Sequence, residues 1–152
     1  MSRVIIFPIR GAVLACSLLT LTGCVSLLSP YEEMADKKLA GVAEALLDIQ
    51  ARAQLTPAPL ENTPDLQAKG VELRTAIRVA RNMYSESYGV RMRDAHRTIV
   101  VDTIDRCDNA VNAFFVTVAD LDRISDPATN LLLTTAHATC LTAAERVQDG
   151  KS

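Results

Sequence analysis

Apolar residues recur through most of this 152-residue chain at alternating steps of four and three. That spacing keeps them on one side of an α-helix. Ala35, Leu39, Val42, Leu46, Ile49 and Ala53 form one stripe and predict a helix reaching about Leu55. Ser29 is placed to cap it, Pro30 suits its first turn, and Glu32 completes a capping box. Thr56-Pro57-Ala58-Pro59 breaks the pattern, and Thr63-Pro64 restarts it with a cap followed by a first-turn proline. Leu66, Gly70, Leu73, Ile77, Ala80, Tyr84 and Ser87 carry the second stripe, with Gly89 as its expected C-terminal cap. Gly70 and Ala80 are small enough to let another helix approach closely.

A third helix is expected over about residues 90–121. Its core stripe is Val100, Ile104, Cys107, Val111, Phe114, Val118 and Leu121, and its opposite, polar stripe is Asp102, Asp105, Asn109 and Asn112. Ser125-Asp126-Pro127 stops it and opens a fourth helix, capped by Asp126 and ending near Gln148. Leu133, Ala136, Cys140, Ala144 and Val147 face inward there. The connections between helices are short, which favours antiparallel neighbours. The expected fold is all-α, an up-down antiparallel four-helix bundle.

The first residues follow a different pattern. Arg3 and Arg10 supply positive charge, residues 11–21 are an uncharged and mostly apolar run, and small Gly23 precedes Cys24. That is the order of a secretory signal. Leu21-Thr22-Gly23-Cys24 resembles the lipobox of bacterial lipoproteins: an aliphatic residue, a small residue, Gly or Ala, then Cys. The resemblance implies diacylglycerol on the Cys24 sulfur and cleavage after Gly23. In many Gram-negative bacteria a further acyl chain such as palmitate is added to the new amino group. It also implies an outer-membrane address facing the periplasm, because Val25 rather than Asp follows the cysteine. Two other readings are an uncleaved membrane helix over residues 11–28, which Thr20, Thr22, Gly23 and Ser26 weaken, and ordinary secretion with cleavage elsewhere. The expected organisation is a signal peptide over 1–23, a lipidated tether over 24–29 and a helical domain over 30–152.

Removing 23 of the 152 residues leaves 129, enough for one domain with a real core. Only 4% of residues are aromatic and none is Trp, so Ala, Leu and Val must fill the interior. Both signal arginines leave, and 14 basic against 18 acidic groups give the remainder a net charge of −4. That balance argues against a nucleic-acid partner. Charge is nevertheless uneven: residues 69–97 hold seven basic and three acidic groups, between two acidic flanks. Arg74, Arg78 and Arg81 share one helix face at steps of four and three. They serve either internal complementarity between helices or a docking patch for lipid headgroups, an anionic polymer or an acidic partner.

Of four cysteines, Cys16 leaves with the signal and Cys24 carries lipid. Cys107 and Cys140 remain, in a compartment that permits disulfides. In an antiparallel hairpin, level residues share a midpoint near the turn. The midpoint of 107 and 140 is 123.5, beside Ile124, so the two thiols are expected at one height and bonded. A zinc site from Cys107, Cys140, His137 and His96 fails on distance: His96 lies 11 residues before Cys107, roughly 16 Å along one helix. No metal or cofactor is expected.

No nucleophile motif, zinc-protease motif or glycine-rich phosphate loop occurs, and Asp102 with Asp105 reads as a solvated stripe. The chain is therefore expected to be non-enzymatic. The fourth helix carries the more informative signal, because residues 127–144 contain no Asp, Glu, Lys or Arg. A helix on the outside of a bundle normally carries charge on its solvent face. Leu131, Thr135, Thr139 and Thr142 lie opposite Cys140. They form either a solvated threonine surface or a face that packs on another chain. The first mature helix looks like several small helical lipoproteins of unknown role. The resulting expectation is a lipid-anchored interaction or assembly module, with membrane and protein partners or self-association. Other readings are an assembly chaperone resembling the helical secretin pilotins in architecture, and an envelope ligand binder using a gap near Tyr84, Phe114 and Phe115.

Overall fold

A computed structural model of the protein describes residues 30–55, 62–87, 94–120 and 127–149. These form four helices: α1 (Pro30–Leu55), α2 (Pro64–Glu86), α3 (Asp94–Asp120) and α4 (Pro127–Asp149). Each packs on its neighbours in chain order, and α4 returns to α1, closing a ring. The chain folds as an up-down four-helix bundle, and contacts between neighbouring helices fix the alternation. Glu32 near the start of α1 meets Ser87 just past the end of α2. Asp36 and Gln50 of α1 meet Gln148 and Thr134 of α4 in reverse order. Asn62, just before α2, reaches Ala119 at the end of α3.

The 3.6-residue stripes become the core. Leu39, Val42 and Leu46 of α1, Ile77 and Tyr84 of α2, Val100, Ile104, Val111 and Phe114 of α3, and Leu133 of α4 are all buried. Each fully buried side chain of this size contributes roughly 1.5–3 kcal/mol through removal from water. Between them lie buried Ala35, Ala43, Ala80, Ala136, Ala143 and Ala144, which let the helices approach closely. Gly70 marks the tightest point, since a Cβ there would lie 2.7 Å from the Phe115 ring. The edge-on contact of Phe114 and Phe115, with centroids 4.9 Å apart, wedges this part of the bundle.

The α2 start behaves as its sequence indicates. Thr63 has extended backbone, its hydroxyl accepts from the Leu66 amide at 3.2 Å, and Pro64 fills the first helical position. The exit differs from expectation. The helix ends at Glu86 and Ser87 is no longer helical, while the expected start of α3 near residue 90 lies outside the described residues, which resume with α3 at Asp94. The cause is tertiary. Ser87 adopts extended backbone, its amide donates to the Tyr84 carbonyl at 3.2 Å, and its buried hydroxyl donates to Glu32 Oε1 at 2.6 Å. A side chain 55 residues away thus helps to fix the exit. The proposed caps Ser29, Gly89 and Asp126, the core position Leu121 and the whole segment through Cys24 lie outside the described residues. No helix among the described residues is long and apolar enough to cross a membrane.

Candidate interaction surfaces

Cys107 and Cys140 form the disulfide that the hairpin geometry predicts. Their sulfurs are 2.07 Å apart and their Cα atoms 4.7 Å apart, with both residues fully buried. The bond ties α3 to α4 at one height and takes both thiolates out of any metal chemistry. Closing a 33-position loop stabilises the fold by roughly 3–4 kcal/mol, chiefly by restricting the unfolded chain.

The three stripe arginines of α2 lie against α3 rather than on an open face. Arg74 donates from Nε and Nη2 to the two Asp108 carboxylate oxygens, at 2.9 and 3.2 Å, and from Nη1 to Asn112 Oδ1 at 2.5 Å. Arg81 grips Asp105 in the same forked manner, at 2.6 and 3.1 Å. Arg78, more exposed, stands 3.7 Å from Asp108. The hydrogen bonds to Asp108 and Asp105, helped by the carboxylate charges and opposed by burial, raise the pKa values of Arg74 and Arg81. Between the two readings of this stripe, the geometry supports internal complementarity. Asp105 and Asn112 correspondingly belong to a helix seam, not to a solvated stripe. Asp108, the acceptor shared by two arginines, went unremarked in the sequence. Its signal was present as an acid on the same face as Asp105 and Asn112, one turn from each.

The outer side of α4 is built differently. Thr134, Thr135, Thr139 and Thr142 each donate their hydroxyl to the carbonyl four residues earlier, at 2.6–2.9 Å. Their hydrogens are thereby satisfied within the helix, and their methyl groups remain to be covered. Leu131 stands beside them, 68% exposed. Where α4 meets α3, the small side chains leave a groove of about 570 Å³. Ile99, Asp102, Thr103 and Arg106 line it from α3, and Ala138, Thr139, Thr142 and Arg146 from α4. Thr139 and Thr142 are thus both face and groove wall. Among the described residues, neither Arg106 nor Arg146 has an ion pair or side-chain hydrogen bond, unlike the arginines of the α2–α3 seam. The sequence does not distinguish these two from other arginines, because the lack of a partner becomes visible only once the neighbouring helices are in place.

The remaining sequence candidates separate. Tyr84 and Phe114 are 1% and 0% exposed, and Phe115 is buried beside Gly70. They fill the space in which a ligand gap is expected from the sequence, and none of them lines the α3–α4 groove. His96 is only partly exposed, and its Nε2 is buried without a hydrogen-bond partner among the described residues, so it is less a surface residue than its charged neighbours suggest. His137 and His96 do not meet as ligands: no cluster of three or more metal-binding side chains occurs among the described residues. No family model, curated protein or solved structure matches this chain.

Proposed function

We propose that this protein is a lipid-anchored, non-enzymatic interaction module of a bacterial envelope, held at the membrane through Cys24 and presenting the outer side of α4 to another protein. The observation that carries the reading is the ordered signal Arg3/Arg10, apolar run, Leu21-Thr22-Gly23-Cys24. The bundle supports it in two ways. Helix α1 opens at Pro30, six residues after Cys24, so even a fully extended tether reaches only about 20 Å. A domain held that close to a bilayer works through its surfaces. The second support is α4, whose exposed methyl-rich face carries no charge over residues 127–144 and has its threonine donors already satisfied. Such a face can be covered without stranding polar groups.

Anchoring follows from chain number: each buried methylene contributes about 0.8 kcal/mol, and two or three acyl chains hold where one does not. Replacing Cys24 by Ser removes the acceptor sulfur. In fractionated cells the Cys24→Ser protein should leave the membrane pellet, while the parent stays there. Equal membrane retention of both would show that the anchor has been misassigned.

A further inference from the structure

We infer that the α3–α4 groove is a docking site for one amphipathic helix of a partner protein, bearing acidic side chains against Arg106 and Arg146 and a basic one against Asp102. The inference rests on the interaction-module reading and makes it specific. Three observations carry it.

The first is shape. Two antiparallel helices wall the groove, and Ala138, Thr139 and Thr142 keep one wall low. Both walls are helical, with backbone groups bonded within their own helices. They offer no strand edge for an extended peptide to pair with. A helix brings its own hydrogen bonds and needs only side-chain complementarity. The second is polarity. The threonine hydroxyls are bonded to Thr135 and Ala138 carbonyls, so the wall meets a partner as methyl groups. Ile99, 56% exposed, extends that apolar surface.

The third is charge. Two guanidiniums with no ion pair among the described residues and one carboxylate line the same groove. A phosphate or an anionic lipid headgroup would be drawn to the arginines but repelled by Asp102. A polypeptide can answer all three charges at once. Complementary charge at the edge of an apolar contact sets partner choice and register.

The test uses the full-length chain in detergent micelles and two synthetic helical peptides. Both have an Ala/Leu face. One carries Glu at the positions that meet Arg106 on the α3 flank and Arg146 on the α4 flank, and Lys one turn along the α3 flank to meet Asp102, and the second has these charges exchanged. Fluorescence anisotropy should show the first binding roughly tenfold or more tightly than the second, with the difference shrinking as salt is raised. The double variant Arg106→Glu/Arg146→Glu should invert the preference. Both arginines are exposed and have no ion pair among the described residues, so circular dichroism should be unchanged. Thr139→Trp, which fills the groove without altering charge, should abolish binding of either peptide. Equal binding of the two peptides, no binding of either, or a preference that survives the charge reversal would overturn the proposal. So would selective capture of short-chain phosphatidylglycerol with the peptides ignored. Peptide binding does not require lipid on Cys24. A silent groove therefore leaves the anchor reading standing, and an unlipidated Cys24 leaves the groove result standing.

Discussion

At Gly70 an added Cβ would fall 2.7 Å from both Cγ and Cδ1 of Phe115, closer than real carbon contacts allow. At Gly41, on α1, the same atom would meet nothing within 4 Å. The two glycines therefore predict opposite responses to one substitution. Gly41→Ala removes backbone freedom from the unfolded chain and improves helix propensity, for a gain of about 0.5–1 kcal/mol. Gly70→Ala has the same intrinsic gain, but displacing a buried aromatic ring costs about 1–3 kcal/mol. Strain is the larger effect, and a net loss is expected. Urea denaturation of the two variants reads the difference directly. Phe115→Leu should relieve much of the Gly70→Ala penalty, because ring and methyl compete for the same space.

The arginines of the α2–α3 seam separate by burial at the same scale. Arg74 and Asp108 have side chains 29% and 19% exposed, whereas Arg81 and Asp105 stand at 41% and 43%. Arg74→Ala strips a forked hydrogen bond from a largely buried carboxylate and should cost about 1.5–3 kcal/mol. Arg78, at 3.7 Å from Asp108, offsets part of the loss. Arg81→Ala should cost less than about 1 kcal/mol, since water replaces the lost charge. Equal losses in thermal or urea melts would contradict the assigned roles. The pH dependence has a definite sign. Folding raises the pKa of both guanidiniums through their hydrogen bonds to Asp108 and Asp105. Stability from a raised cation is fully present below its unfolded pKa and disappears only as pH rises through the folded value. Neither arginine should therefore contribute any slope to stability between neutrality and about pH 10.

Helices α3 and α4 are the elements most firmly joined, because a covalent bond supplements their packing. Full reduction of Cys107–Cys140 should lower unfolding free energy by about 3–4 kcal/mol, seen as an earlier urea midpoint. Both cysteines are fully buried. The native protein should accordingly resist mild reductant, and thiol release should follow unfolding. Rapid release from the folded state would contradict that burial. The same hairpin carries the groove, so the bond holds Arg106 and Arg146 on elements that cannot slide past one another. The α2–α3 seam adds forked ion pairs to its packing at Gly70 and Phe115, so its arginines are answered by carboxylates, whereas Arg106 and Arg146 beside the α3–α4 groove have no ion pair among the described residues.

For the molecule as a whole, periodicity carried the architecture. The stripe positions through Leu39, Ile77, Ile104 and Leu133 are the buried ones, because a bundle of this size has one interior and each helix has one apolar face. The cysteine pair was legible for the same reason: a short antiparallel connection leaves only one way to align level positions. Less legible was whatever depends on how helices rotate against one another. Arg74, Arg78 and Arg81 on a common face were visible, but not that the carboxylates of α3 would answer them. Ser87 read as the last turn of a stripe, although Glu32, distant in sequence, draws it out of the helix. Glu32 itself completes a capping box with Ser29 in the sequence, and its contact with Ser87 has no local signature. Arg106 and Arg146 were indistinguishable from ordinary surface charges until the groove brought them together.

The most direct measurement is intact and peptide-level mass spectrometry of the protein extracted from membranes of its native host. A mature chain beginning at Cys24, with mass added for a diacylglyceryl group and, in a Gram-negative host, a further acyl chain on the amino group, is the predicted result. A chain that retains residues 1–23, or one that begins elsewhere with an unmodified Cys24, would contradict the account of a bundle fastened to the envelope by its first mature residue.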